Sequence, residues 1–259
     1  MSSSFEVDWT KLVGTSGSDN ADALSVSSDG SVYIGGDLNG LANSIISDGF
    51  ITKFDKNGTE EWTYIFESSE FDSVESIDID KHGYVYVAGN TSSTVNQFSS
   101  NTGKDIDDIF IAKLSTEGSL IWQEEFPNLF VNQIKVSSDG YIYASGHGFL
   151  KKLNSNGKEE WIKSFGTSAV DSINISEDGD IYLTGDTYSD FQGKNPSKEG
   201  AGYIIRFNDK GDILWSDIIA NQARGTEFSE DYQTLFILGK YKDENWDNID
   251  YSINTYNID

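Results

Sequence analysis

The hydrophobic and polar positions of this chain form two motifs, each of which recurs four or five times. The first motif is an alternating apolar strand, a turn that ends in glycine, and a second strand that carries tryptophan. Its copies are DGFITKFDKNGTEEW (48–62), FIAKLSTEGSLIW (110–122), FLKKLNSNGKEEW (149–161) and YIIRFNDKGDILW (203–215). A fixed pattern that recurs along a chain indicates a repeat architecture.

The second motif is a tight turn, usually Asp-Gly, between an apolar strand end and a strand of β-branched and aromatic residues. Its copies are VSSDGSVYIGG (26–36), IDKHGYVYVAG (79–89), VSSDGYIYASG (136–146), ISEDGDIYLTG (175–185) and a degenerate FSEDYQTLFILG (228–239). Asp-Gly between such runs is a strong hairpin signal, because glycine tolerates the positive φ that a twisted hairpin needs. Val32, Tyr33 and Ile34 are apolar at consecutive positions, which predicts burial on both faces of the strand.

Together the two motifs supply four short strands per repeat, at a spacing of roughly 50 residues that is typical of a β-propeller blade. The sequence therefore predicts an all-β fold, a single five-bladed β-propeller domain (1–259) with four-stranded blades. The expected blades are about 20–66, 71–126, 130–165 and 169–219, with a fifth made of 224–259 plus 5–13.

The N-terminus is expected to close the ring. The last repeat ends without a tryptophan strand, whereas FEVDWTKLVG (5–14) is such a strand placed before the first repeat. We therefore predict a ring closed by the N-terminal strand, which leaves no free edge for aggregation. On this interpretation five tryptophans are structural packing residues of the outer strands: Trp9, Trp62, Trp122, Trp161 and Trp215.

Charge and composition exclude several partners and chemistries. The chain has 18 basic and 43 acidic residues and a formal charge of -25, which disfavours nucleic acid and anionic lipid as partners. It contains no cysteine, so no disulfide, thiolate catalysis or cysteine-based zinc site is expected. We find neither a Sec signal peptide nor an apolar run long enough for membrane insertion. We expect a soluble protein, extracellular, on a cell surface or on a virion, in preference to a cytoplasmic enzyme.

The stretch GTSGSDNADALSVSSDGSVYIGGD (14–37), followed by DGFITKFDKNGTEEW, resembles the bacterial β-propeller repeat called SBBP. The matching features are the G-x-x-G-x-D start, the DG-x-V-Y-x-x-G hairpin and the [FY]-I-x-K-[FL] strand. The resemblance covers nearly the whole chain and implies a propeller of secreted, surface or large modular proteins. It implies no catalytic residues. The family name implies seven blades, whereas this chain has copies for five.

Binding residues are expected in the connections between the second and third strands, because these differ most between repeats. Asp186, Tyr188, Asp190 and Phe191 combine carboxylates with aromatic rings, as sugar sites do, although incidental residues of an exposed loop are the favoured interpretation. His147 is a candidate ligand or proton carrier, although a turn residue is the favoured interpretation.

Asp105, Asp107 and Asp108 could hold Ca²⁺ through their oxygens. The remaining EF-hand positions are missing, which favours a solvated loop. No other cofactor is predicted. The basic residues Lys53, Lys113, Lys152 and Arg206 recur at one strand position, which predicts a structural role.

An enzyme would need converging unlike residues, such as the paired carboxylates of a glycosidase. The inner strands read ALSV, SIDI, NQIKV, SINI and TEFS, in which Asp78 is the only carboxylate of note. No catalytic residue is therefore predicted. We predict a non-enzymatic binding or structural module, a rigid acidic propeller that mediates protein–protein interaction on a larger assembly such as a cell surface or virion. A carbohydrate-binding, lectin-like propeller is the alternative, and a glycosidase comes third.

Overall fold

The computed structural model describes residues 7–39, 47–67, 71–92, 108–166, 169–188, 191, 193–194, 200–219, 222–229, 231–242 and 249–257. Within these ranges the chain is all-β, with nineteen strands and no helix. No described segment is therefore a long apolar helix of the kind that crosses a membrane. The chain divides into two compact units, Met1–Phe130 (unit 1) and Val131–Asp259 (unit 2), which are described separately.

Unit 1 contains two four-stranded antiparallel sheets. The first has the order β1-β2-β3-β4 and the second the order β5-β6-β7-β8, so consecutive strands pair as in a meander. The strands are β1 (Asn20–Val26), β2 (Val32–Leu38), β3 (Asp48–Phe54), β4 (Glu60–Phe66), β5 (Phe71–Ile79), β6 (Val85–Ser92), β7 (Asp108–Leu114) and β8 (Leu120–Phe126). Strand β5 packs against β1, β2 and β3.

Unit 2 contains two further four-stranded sheets and one sheet with three described strands. The strands are β9 (Val131–Val136), β10 (Ile142–Gly146), β11 (Phe149–Leu153), β12 (Glu159–Ser164), β13 (Ala169–Ile175), β14 (Ile181–Thr187), β15 (Ala201–Phe207), β16 (Ile213–Ile218), β17 (Gln222–Phe228), β18 (Thr234–Lys242) and β19 (Ile249–Asn257). The sheet orders are β9-β10-β11-β12, β13-β14-β15-β16 and β17-β18-β19.

The second and third strands of the sheets form the core. Every residue of β10, β11 and β14 is buried, as expected for strands that are covered on both faces. In the four complete copies of the second motif, the tyrosine that lies within the second strand is at most 2% exposed: Tyr33, Tyr86, Tyr143 and Tyr182. The fourth strands, in contrast, consist mainly of exposed and half-buried residues.

The tryptophans of the fourth strands contact the turn of the following sheet. Trp62 Nε1 donates to the Thr116 carbonyl at 3.1 Å, and Trp161 Nε1 donates to the Asp209 carbonyl at 3.3 Å. The ring of Trp62 lies so close to Gly118 that a Cβ there would be 2.5 Å from Trp62 Cδ2. This contact and the φ of 78° both require glycine at position 118.

Trp9 makes the same contact from outside any strand. Its Nε1 donates to the Lys56 carbonyl at 3.2 Å, and its ring lies 6.2 Å from that of Phe54. Residues 7–13 lie in no strand, and residues 5–6 are outside the described residues. The closure strand and the number of blades therefore stay predictions.

The recurring basic residues lie over the buried tyrosines. Lys53 Nζ is 5.7 Å from the centroid of the Tyr33 ring, and Lys152 Nζ is 5.3 Å from that of Tyr143. Lys113 and Arg206 make the same contact with Tyr86 and Tyr182. These cation–π contacts agree with a structural role.

Candidate binding site at the strand ends

The first strand of each sheet contains a β-bulge at the same register. In β1, Ala21 pairs with Gly36 and Ala23 pairs with Gly35, so Asp22 is left over as the extra residue. A bulge releases one residue from the ladder and redirects its side chain. We call this the bulge position, and its occupants in the five sheets are Asp22, Glu75, Asn132, Asp171 and Arg224.

A second position follows the glycine at the end of each second strand. We call it the strand-end position, and its occupants are Asp37, Asn90, His147, Asp186 and Lys240. The preceding glycine is required because the first strand approaches closely. A Cβ would lie 2.1 Å from the Asn20 carbonyl oxygen at Gly36, and 1.9 Å from that of Ala169 at Gly185. The backbone thus places the bulge position and the strand-end position near one another. It does not restrict which polar side chain occupies either of them.

In unit 2 these positions form a mixed-charge cluster of Asp171, Asp186 and Arg224 (the unit 2 cluster). Arg224 Nη1 lies 3.7 Å from Asp171 Oδ1, and Nη2 lies 3.6 Å from Asp186 Oδ2. The other Asp186 oxygen accepts the backbone N–H of Ala223 at 3.0 Å. Asp171 Oδ2 is buried and accepts no hydrogen bond from any residue that the structure describes. One guanidinium therefore faces two carboxylates at distances longer than a good hydrogen bond.

Burial is the main cause of the raised pKa values of the two carboxyl groups in this cluster. Burial, and then the charge of Asp171, raise the pKa of Asp186 to about 6 against the opposing effect of Arg224. Burial also raises the pKa of Asp171, again opposed by Arg224. Asp186 consequently titrates just below neutral pH, whereas an ordinary aspartate is fully ionised there.

A chain of polar contacts connects the unit 2 cluster to the surface. Arg224 Nη2 donates to Gln222 Oε1 at 2.8 Å, and Gln222 Nε2 donates to the Tyr188 hydroxyl at 3.5 Å. Tyr188 is 69% exposed. Its ring lies against Gly200, where a Cβ would be 2.6 Å from Tyr188 Cε1. We call Gln222 and Tyr188 the rim of the cluster.

In unit 1 the corresponding positions form an acidic cluster of Asp22, Asp37 and Glu75 (the unit 1 cluster). Asp37 is buried and accepts hydrogen bonds from Asn20 Nδ2 at 3.0 Å and from Asn39 Nδ2 at 3.3 Å. Burial, followed by Glu75, raises the pKa of Asp22. Burial also raises the pKa of Asp37, and Asp22 and Asp19 add to that rise. Within the described part of the chain, the charges that shift these two pKa values are all negative.

Of the five predicted ligand residues, the structure brings two together: Asp186 lies in the unit 2 cluster and Tyr188 in its rim. Phe191 is 1% exposed and contacts the Tyr203 ring at a centroid distance of 4.3 Å, so it belongs to the core and is not available to a ligand. Asp190 lies outside the described residues. His147 is exposed and holds the strand-end position of the third sheet, in the turn between β10 and β11, where partial loss of solvent lowers the pKa of its imidazole.

The predicted calcium residues are only partly described. Asp105 and Asp107 lie outside the described residues, whereas Asp108 Oδ1 accepts the backbone N–H of Asn128 at 2.9 Å. In the part of the chain that the structure describes, no group of three histidine or acidic side chains is arranged to hold a metal ion. The calcium site stays a prediction.

The prediction that Asp78 is the only notable carboxylate of the inner strands is wrong. The inner strands begin earlier than the apolar segments indicated, and the extra residues include Asp22, Glu75 and Asp171. Each lies eight residues before the glycine of the following tight turn, which is Gly30, Gly83 or Gly179. A polar residue at this spacing in every repeat is the signal that could have found the bulge position.

Known proteins match this chain in structure only. No protein-family model matches it, and no curated protein matches its sequence. Hydrazine synthase of Kuenenia stuttgartiensis matches with a TM-score of 0.64 and 12% identity, over 96% of this chain and 67% of that chain. A protein of unknown function from Bacteroides caccae matches with a TM-score of 0.56 and 10% identity, over 86% of this chain and 72% of that chain.

The C-terminal WD40 domain of Sif2 matches with a TM-score of 0.50 and 13% identity, over 95% of this chain and 69% of that chain. WD40 repeats build β-propellers from four-stranded sheets. The likeness and the four-stranded antiparallel sheets together indicate a propeller-like, all-β fold. At such low identity the likeness concerns the fold and carries no activity over.

Proposed function

We propose that the chain is a non-enzymatic binding module that docks a partner protein through the strand ends of its sheets. The observation that carries this proposal is the variation at the bulge and strand-end positions. Aspartate, glutamate, asparagine, histidine, lysine and arginine all occur there, although the same glycine and apolar strands support them in each sheet. If the scaffold required a particular side chain at these positions, the same residue type would recur in each sheet, as the glycine does. Variable polar residues on a constant scaffold are typical of recognition surfaces.

The charge of the chain favours a partner with a basic surface. The formal charge is -25, and the unit 1 cluster gathers three of the acidic side chains at the strand ends of two successive sheets. Opposite charge on the partner would steer the encounter and favour the correct orientation. We propose that such a partner belongs to a larger assembly, such as a cell surface or a virion. The resemblance to SBBP repeats, which implies secreted, surface or large modular proteins, is compatible with the cell surface.

The test compares two variants that lose the same charge. Proteins from the native source are captured on the full chain, and the affinity of the purified partner is then measured for the wild type. Asp22→Asn with Glu75→Gln should weaken binding by about tenfold. The control, Glu124→Gln with Glu125→Gln on the exposed β8, should change it by less than about twofold. Equal weakening by both pairs, or no captured protein, would overturn the proposal.

A carbohydrate-binding module is the second candidate, favoured by the exposed Tyr188 beside amide, guanidinium and carboxylate groups. A glycosidase is the third candidate. Asp171 and Asp186 are a carboxylate pair, but Arg224 lies within 3.7 Å of both. A glycosidase keeps one carboxyl protonated as the acid while the other attacks or activates water, and a shared guanidinium opposes that division. This ranking would be contradicted if the wild type hydrolysed a glycoside and Asp171→Asn abolished that activity.

We also propose the five-bladed form, with residues 5–13 as the fourth strand of the last blade. The contact of Trp9 with the β3–β4 turn supports it, because Trp62 makes the same contact from a fourth strand. We expect deletion of residues 1–13 to unfold the protein or make it oligomerise. A monomeric deletion variant with unchanged thermal stability would contradict the closure.

A further inference from the structure

We propose that the unit 2 cluster and its rim form a binding site for a neutral saccharide. The residues are Asp171, Asp186, Arg224, Gln222 and Tyr188. The inference rests on the proposed function only in its premise that strand ends bind ligands. It goes beyond that function because it assigns one cluster a ligand that is not a basic protein.

The local charge favours a neutral ligand. Asp171 and Asp186 face Arg224, and the charge of Lys240 also acts on Asp186. Two negative and two positive groups nearly cancel at this place, in a chain whose formal charge is -25. A cationic ligand would be repelled by Arg224 and an anionic one by the carboxylates. A ligand without charge meets neither repulsion.

The hydrogen-bonding groups suit hydroxyls. Asp171 Oδ2 is a buried acceptor without a partner among the described residues, and a buried unsatisfied carboxylate oxygen is costly. The separations of 3.6 and 3.7 Å between guanidinium nitrogens and carboxylate oxygens are too long for direct hydrogen bonds, so both groups keep hydrogen-bonding capacity for an oxygen that lies beside them. A sugar hydroxyl can donate to the carboxylate and accept from Arg224 at the same time, because it is both donor and acceptor.

Asp186 remains suited to hydroxyls in either protonation state. The carboxylate accepts a hydrogen bond from a hydroxyl, and the protonated form donates one. The backbone N–H of Ala223 holds one of its oxygens in place at 3.0 Å, so the group is oriented before a ligand arrives.

Tyr188 supplies the apolar surface that a sugar ring also needs. Pyranose rings present a face of C–H groups, and the faces of exposed aromatic rings pack against such surfaces while the hydroxyls bond to polar neighbours. Tyr188 is 69% exposed, and its contact with Gly200 and the donation from Gln222 limit its orientation. Tyr188 differs from an incidental surface tyrosine because Gln222 connects it by hydrogen bonds to Arg224 and thereby to the two carboxylates.

The experiment probes the full chain with an immobilised array of neutral mono- and oligosaccharides. Titration calorimetry then measures the affinity of the wild type and of variants for the best array ligand. We expect Tyr188→Ala to weaken binding at least about tenfold, since it removes a stacked aromatic. Tyr188→Phe, which keeps the ring, should stay within about threefold. Asp171→Asn tests the buried acceptor and should also weaken binding about tenfold.

The matched control is Tyr251→Ala, because Tyr251 is 68% exposed and lies on β19 of the same unit. It should leave the affinity unchanged, and thermal melts should show that each variant is folded. A blank array would overturn the proposal, as would binding that survives both Tyr188→Ala and Asp171→Asn or that requires calcium. A blank array together with a protein partner that is sensitive to Asp22 and Glu75 would leave the proposed function standing. Failure of both assays would overturn both proposals.

Discussion

The two clusters share a backbone design and differ in electrostatics. Asp22 and Glu75 hold the bulge positions of two successive sheets in unit 1, and Asp171 and Arg224 hold the same positions in unit 2. The first pair repels, which contributes to the raised pKa of Asp22. The second pair attracts, which opposes the rise in the pKa of Asp171. Equivalent positions therefore carry opposite interactions on one scaffold.

This difference shows which features the fold requires. Gly36 and Gly185 are required because the first strand's carbonyl approaches within about 2 Å of where a Cβ would be. The bulge residue leaves the ladder, so neither pairing nor core packing dictates its side chain. The side chain at this position can therefore differ between the units, and we propose different ligands for the two clusters on this basis.

The largest effect should come from the scaffold that both units share. We expect Trp62→Ala in unit 1 and Trp161→Ala in unit 2 to lower the free energy of unfolding by about 3 kcal/mol each, because each loses ring packing and an indole hydrogen bond. Urea denaturation measures the loss, and Leu214→Ala on the exposed face of β16 is the control. A loss below about 1 kcal/mol for one tryptophan alone would show that the scaffolds are not equivalent.

The second effect is the pH dependence that Asp186 brings to unit 2. Its folded pKa of about 6 exceeds the ordinary value of 3.8, so wild-type stability is lost as the pH rises from 4 through 6. Between pH 4 and 7, the free energy of unfolding of Asp186→Asn should therefore fall by about 2 kcal/mol less than that of the wild type.

Thermal melts across that pH range measure the effect of Asp186→Asn. Asp29→Asn is a control of opposite sign, because hydrogen bonds from Ser27 and Ser31 hold the pKa of Asp29 at about 2. The stability that Asp29 contributes is lost as the pH falls below 4. Parallel pH profiles for wild type and Asp186→Asn would contradict the raised pKa.

A third effect should follow from making unit 2 resemble unit 1. Arg224→Glu places a third carboxylate beside Asp171 and Asp186 and should destabilise the protein by about 1.5 kcal/mol at pH 7, a value reduced because Arg224 is 40% exposed. Arg224→Gln removes the attraction without adding repulsion and should cost about half as much. Equal stability of wild type and Arg224→Glu in chemical denaturation would refute the proposed charge balance.

The smallest effect should come from the reciprocal change. Glu75→Arg replaces repulsion of Asp22 by attraction and should stabilise the protein by about 0.5 kcal/mol at pH 7, while lowering the pKa of Asp22. Glu124→Arg on the exposed β8 is the control for the general benefit of reducing the negative charge. NMR titration of Asp22 with denaturation at pH 7 tests both parts. Destabilisation by Glu75→Arg, or an equal gain from the control, would contradict the equivalence of the two clusters.

The sequence by itself determined most of the strands, the hairpins and the tryptophans Trp62 and Trp161 that pack on the following turn. The Asp-Gly turns, the consecutive apolar residues around Tyr33 and Tyr182, and the spacing from turn to tryptophan act over a few residues, so a repeated local pattern is enough to predict them.

Only the tertiary structure decided the site. Asp171 is a bulge residue because Val170 pairs with Gly185 and Ser172 with Thr184, and this register depends on a partner strand. Tyr188 and Phe191 are three positions apart in one aromatic-rich stretch, yet packing leaves Tyr188 69% exposed and Phe191 1% exposed. Arg224 meets Asp171 and Asp186 because β17 packs against β13 and β14, elements that lie far from it along the chain. Burial and charge pairing arise from such distant contacts, which no local pattern encodes.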